Sequence, residues 1–227
     1  RECKLEEEED VCCLYWLLRT EQDELHPELL KGLHEEIHEC ASLLGAVILE
    51  GGATSGVLAR PHCGDNRSAL FNAAAGGGGG EAGAGSGMAA TISASMSASI
   101  SAQSGNFAAS DSIVRLGQLL GRWAAKQDPP VEIRLGVHCG RLRPVPLPWD
   151  RRMGYYGDAL GIARRLAESC PLSCCVHLSQ EAKDDLRMLG KLAFTCVPNE
   201  HSYYLDPSTQ VFEQRDDHDA SSATALQ

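Results

Sequence analysis

Two histidines, His34 and His38, enclose Glu35, Glu36 and Ile37 in the pattern H-E-x-x-H. On a helix this spacing puts both imidazoles on one face, over a zinc ion, with the glutamate as general base of a hydrolase. No third ligand follows at a known distance, and the residue three after His38 is Ala41. In a chain with eight histidines and many glutamates such a string also arises by chance. A second set is basic. Arg141, Arg143, Arg151 and Arg152 gather positive charge around Pro144, Pro146 and Pro148, where they suit a phosphate group or an ordinary surface or interface. Ten cysteines are present but no C-x-x-C. Cys12-Cys13 and Cys174-Cys175 sit in apolar strand patterns, so they read as reduced, buried thiols of a cytosolic domain rather than a metal or disulfide framework.

The elements that must position such groups follow from periodicity. Val11–Leu18 is a continuous apolar run flanked by charge, the pattern of a strand buried on both faces. Pro27 suits a first helical turn, and Leu30, Leu33, Ile37, Ala41 and Leu44 continue at spacings of three and four until Gly45. A second strand begins at Ala46–Leu49 and resumes at Val57–Ala59, with a bend or bulge at Gly51-Gly52. A helix carries Ile113, Leu116, Leu119, Leu120 and Trp123. Val131, Ile133, Leu135 and Val137 then alternate with Glu132, Arg134 and His138 as a strand, and Gly140 permits a reversal. The prolines that follow lack backbone donors, so that segment can pair on one side at most. Asp158 is placed to cap a helix carrying Leu160, Ala163 and Ala167, which Cys170-Pro171 stops. A strand through Cys174, Val176 and Leu178 leads to Ser179, the cap of a helix that Gly190 ends. Leu192–Val197 and Ser202–Leu205 form a hairpin around Pro198-Asn199.

Length and charge bound the function. A chain of 227 residues holds one domain of common size with room for an insertion. From about Ala73 to Ser110 the composition collapses to Gly, Ala and Ser, including glycine throughout 76–80, and a disordered insertion is expected there. The domain is expected over residues 10–206, with a polar tail at 207–227. The net charge of −11, concentrated in Glu6–Asp10 and Asp216–Asp219, argues against nucleic acid or anionic lipid as the partner. No run reaches the roughly 18 apolar residues of a membrane span, and no secretory signal pattern is present. Because the chain begins at Arg1, it reads as a cytoplasmic fragment of a larger, membrane-bound or multidomain protein, with no membrane contact of its own.

Three blocks resemble the class III nucleotidyl cyclases, the catalytic domain of adenylate and guanylate cyclases. LGVHCG is similar to that family's "GIHxG", YYGDALGIARRLAES to "FGDTVNxASRMES", and VHLSQEAKDDL to "IxVSEExxxxL", in the family's order and near its spacing. The resemblance implies an α/β fold, a ferredoxin-like mixed sheet flanked by helices, whose active sites form only at a homodimer or heterodimer interface. It also implies ATP or GTP as substrate and two magnesium or manganese ions held by two aspartates. An asparagine would position the ribose and an arginine would stabilise transition-state charge.

Laid on the family's patterns, however, the chain departs where the chemistry is. The first aspartate falls at Leu17 and the second at Gly52, and Trp16, Leu18, Gly51 and Ala53 offer no ligand either. Glu50 is the one nearby carboxylate. The asparagine falls at Gly161 and the purine-reading position at Gly154. The arginine falls at Arg165 and is present, although pairing with Glu168 would also explain it. Asp158 matches the family's pattern, and helix capping accounts for it without a ligand. The expectation is therefore a degenerate cyclase domain in cyclic-nucleotide signalling, without a cofactor of its own, acting as a regulatory or dimerisation module. Alternatives are one half of a heterodimeric cyclase, lending Arg165 to a metal-bearing partner, and a zinc hydrolase at His34 and His38.

Overall fold

A computed structural model describes residues 8–19, 26–62, 108–147, 153–189, 192–198 and 201–206. The insertion, the tail, Arg151, Arg152 and Gly190 lie outside them, or nearly so: only 108–110 of the expected insertion are described. Among the described residues a mixed sheet runs in the order β2-β3-β1-β4-β6-β8-β7, with β5 paired to the far end of β4. The strands are β1 (Glu9–Arg19), β2 (Val47–Gly51), β3 (Ser55–Pro61), β4 (Glu132–Pro146), β5 (Met153–Tyr156), β6 (Val176–Ser179), β7 (Thr195–Cys196) and β8 (Ser202–Leu205). Helices are α1 (Pro27–Leu44), α2 (Ala109–Ala125), α3 (Asp158–Ser169) and α4 (Gln180–Asp184). The lone parallel pair, β4 with β6, is bridged by α3, the crossover such a pair needs.

β1 divides the molecule. Its even side chains Cys12, Leu14, Trp16 and Leu18 enter a large core with Leu33 and Leu44 of α1 and Ile113, Leu116 and Leu120 of α2. Its odd side chains Val11, Cys13 and Tyr15 meet Ala159, Ala163 and Ala167 of α3. An apolar run without alternation thus serves two cores at once. α1 begins with Pro27 and ends at Gly45 (φ 65°), where the Ala46 N–H donates to Ala41 O at 2.9 Å in a Schellman arrangement. In the first turn of α2, the buried Asp111 carboxylate accepts backbone N–H bonds from Arg187, Met188 and Leu189, pinning the segment after α4.

Several local expectations change. Gly140 does not reverse the chain: β4 runs straight through it, pairing with β1 as far as Leu142 and then with β5 over Arg143–Pro146. The proline segment does pair on one side only among the described residues. Gly51-Gly52 is a hairpin turn between two antiparallel strands, and the irregularity falls earlier, between Ile48 and Glu50. α4 is capped by Ser179, whose Oγ accepts from the Ala182 N–H, but ends at Asp184. The Asp111 contacts supersede a longer helix there. β7 and β8 form the expected terminal hairpin.

Candidate functional site

α3 carries most of the predicted site, and its placement depends on Gly136. A Cβ built there would stand 2.1 Å from Ala163 O and 2.5 Å from Ala167 N, so helix backbone lies directly on strand backbone. Small residues at every fourth helical position, Ala159, Ala163 and Ala167, permit that approach. Gly157 serves the same end at the helix start, since a Cβ there would meet Arg141 O at 2.1 Å. Asp158 is not the N-cap: Gly157 is, and Asp158 is the first helical residue. Its Oδ1 accepts the Arg141 backbone N–H at 2.9 Å, fastening α3 to β4, and its charge suits the helix N-terminus.

Asp158, Gly157 and Tyr156 line a polar cleft of about 250 Å³ together with Arg141, Leu142, Arg143 and Glu8. Glu8 spans both arginines, at 3.3 Å from Arg141 Nη1 and 3.0 Å from Arg143 Nη2. A phosphate entering the cleft would have to displace that carboxylate. Gly154 lies apart, in β5 opposite Val145, with Leu147 Cδ2 3.0 Å from where a Cβ would be. A side chain there would crowd the ends of Leu147 and Tyr156.

Arg165 is exposed on α3 and makes no hydrogen bond or ion pair among the described residues. Glu168 belongs to its neighbour instead: Arg164 Nε donates to Glu168 Oε1 at 2.7 Å and the guanidinium sits 5.9 Å from the Tyr15 ring. On the face of β4 that α3 covers, His138 is buried with Nδ1 2.8 Å from Ser179 Oγ. Burial holds its pKa below the ordinary value, reinforced by Arg165 and opposed by Glu181 and Asp158. Gly161 faces open space, with nothing within 4 Å of a Cβ. A side chain would fit there; the sequence simply lacks one.

Two aspartates sharing metal ions would have to project side by side. Leu17 is half-buried near the end of β1, and its cross-strand neighbours are Ser55 and Arg134, not Gly52. Gly52 lies in the turn, its N–H donating to Ser55 O at 2.8 Å. Neither Leu17 nor Ser55 is a carboxylate, and the neighbouring Arg134 is already bonded to Glu132 at 2.9 Å. Glu50 is exposed opposite Val57, one pair further along the ladder. This donor set does not fit a pair of hard divalent ions. Leu17 is also distant from Asp158, by the length of β1 back to Asp10, about 20 Å at the rise of an extended strand.

The H-E-x-x-H string does lie on a helix, α1. His34 Nε2 is 3.1 Å from Gly52 O, His38 is exposed, and neither joins a group of three ligand side chains among the described residues. One such group exists elsewhere, His62, Cys139 and Asp185, on the opposite side of the sheet from α3. Sequence reasoning missed it because its members lie far apart in the chain: the β1–β3 and β1–β4 registers bring His62 to Cys139, and the β4–β6 pairing brings in the helix that ends at Asp185.

No family model matches the chain, and no curated protein matches it in sequence. Solved structures do match in shape. The monomeric guanylyl cyclase domain of the RhoGC fusion protein from Blastocladiella emersonii is 13% identical, with a TM-score of 0.55, covering 89% of this chain and 98% of that one. The guanylate cyclase domain of RhGC from Catenaria anguillulae in complex with GTP is 11% identical, TM-score 0.58, covering 88% and 96%. An adenylate/guanylate cyclase/hydrolase from Silicibacter pomeroyi is 11% identical, TM-score 0.54, covering 90% and 100%. The fold is that of the class III nucleotidyl cyclase catalytic domain.

Proposed function

We propose that this chain is a cyclase-fold module that has lost catalysis and acts as a regulatory or dimerisation partner in cyclic-nucleotide signalling. The observation that carries this reading is the pairing of Leu17 with Ser55 where two metal-holding carboxylates would be needed. Without cations, charge on the attacking and leaving oxygens of a phosphoryl transfer has nothing to offset it. Glycine at 161 removes the ribose contact as well. The purified chain with manganese and either ATP or GTP should give no cyclic nucleotide by mass spectrometry; turnover that scales with the amount of protein would overturn the reading.

A second reading has support from Arg165. It is exposed and without an ion-pair partner among the described residues, while Arg164 takes Glu168. A group presented in this way suits a composite site completed by another cyclase domain, to which it would bring positive charge. If so, mixing the chain with a metal-bearing cyclase domain should raise product formation, and Arg165→Ala should return the mixture to its basal rate. An increase unaffected by that substitution would leave only the regulatory role.

A further inference from the structure

On the side of the sheet away from α3, two strands and one helix end deliver ligand side chains to a single spot. His62 follows the last residue of β3, Cys139 lies in β4, and Asp185 caps the C-terminus of α4. One ligand atom from each lies within 4.8 Å of the other two. We propose that Cys139, His62 and Asp185 bind one zinc-type d-block dication, with water in the fourth position.

Several observations support this. The His62 Nδ1 to Asp185 Oδ2 distance is 3.5 Å. Two nitrogen or oxygen ligands about 2.0–2.1 Å from a tetrahedral zinc stand about 3.3 Å apart, so little movement is needed. Asp185 Oδ2 is a buried atom that accepts no hydrogen bond among the described residues, an acceptor the fold has desolvated beside His62. The backbones that carry the ligands are already fixed. The His62 N–H donates to Asp10 O at 3.0 Å, continuing the ladder, and the Asp185 N–H donates to Glu181 O at 3.1 Å. Cys139 sits in the β1–β4 ladder opposite Cys12. Cys12 is wholly buried, and its thiol is a hydrogen-bond neighbour of Cys139. That is the outer-shell support metal-bound sulfur commonly has.

The chemistry of the set selects the ion. A thiolate and an imidazole favour zinc, cobalt or copper over magnesium and calcium, which take oxygen donors. One thiolate and one carboxylate neutralise a dication. A nucleophilic Cys–His–Asp relay is the obvious rival. It needs the imidazole between the other two groups, which separates sulfur from carboxylate by a ring and two hydrogen bonds, about 6 Å or more. Here those two atoms are within 4.8 Å, so the three groups converge on a point instead of forming a line. The contrast with His177 is instructive. That imidazole is equally well placed in the sheet, but its two nitrogens are taken by Leu166 O at 2.8 Å and Ser202 Oγ at 2.9 Å.

Cobalt titration of the reduced, purified chain tests this. One equivalent should produce a thiolate-to-cobalt charge-transfer absorption together with the intense visible bands of a four-coordinate ion, and zinc should bleach both. Cys139→Ser should abolish the charge-transfer band. His62→Gln and Asp185→Asn should weaken zinc binding by more than the roughly 10–100-fold that loss of an outer-shell partner costs. Should Cys139→Ser fail to fold, the exposed His62→Gln variant carries the same test, checked for folding by circular dichroism. His34→Gln should leave the titration unchanged. No charge-transfer band at one equivalent overturns the proposal, as does a titration that His62→Gln leaves intact, which would place the metal on another thiol.

Discussion

The two sides of the sheet are built differently. Beneath α1 and α2 the core consists of large side chains, with Leu14, Trp16, Leu33, Leu44, Ile113, Leu116 and Leu120 almost wholly buried. Beneath α3 small alanine, cysteine and valine side chains predominate beside Tyr15 and Leu142, and helix backbone rests on strand backbone at Gly136. The first side derives its stability from area removed from water, at roughly 1.5–3 kcal/mol for each large aliphatic side chain. The second removes little area but fixes a helix to a strand with almost no lateral freedom. Bulk holds the molecule together, and thinness sets the position of the helix that would face a substrate or a partner.

That contrast can be broken from either side. Gly136→Val should have the largest effect, because the added carbons meet backbone that cannot rotate away. A loss of about 4 kcal/mol or more in urea unfolding is expected, and a near-neutral result would mean that α3 does not sit on Gly136. Leu116→Ala, in the thick core, should cost about 3 kcal/mol by the same measurement while leaving the position of α3 unchanged. Gly161→Ala sharpens the comparison in the other direction. Its site is exposed and open, so replacing a mid-helix glycine should stabilise the chain by about 1 kcal/mol. A loss there would point to a contact that α3 makes through its outer face.

Much of the fold was legible because its signals are local. The stripe from Leu30 to Leu44, Gly45 as the helix stop and Ser179 as a cap all depend on nearest neighbours along the chain, and all appear. The missed features depend on the third dimension. Gly140 has the freedom to turn, but the pairing of β4 with β1 holds it extended. Asp158 could have capped its own helix, but the Arg141 N–H claims its carboxylate. Pattern alignment gave Leu17 and Gly52 as the two metal positions, whereas strand register pairs Leu17 with Ser55 and leaves Gly52 in the turn. Glu168 satisfies Arg164, a choice between adjacent arginines that sequence spacing alone could not make. The His62–Cys139–Asp185 group was invisible for the same reason: three short stretches meet only through strand order.

The Arg60 guanidinium bonds both Leu44 O and Ser112 Oγ, and so ties the end of β3 to the first turn of α2. The long glycine-, alanine- and serine-rich stretch between them therefore leaves and re-enters the domain through neighbouring doors. For a loop closed in this way, doubling its length costs only about 0.6 kcal/mol. Evolution could lengthen or trim that stretch with little effect on the fold, and an engineer could splice a reporter protein into it without moving either doorpost.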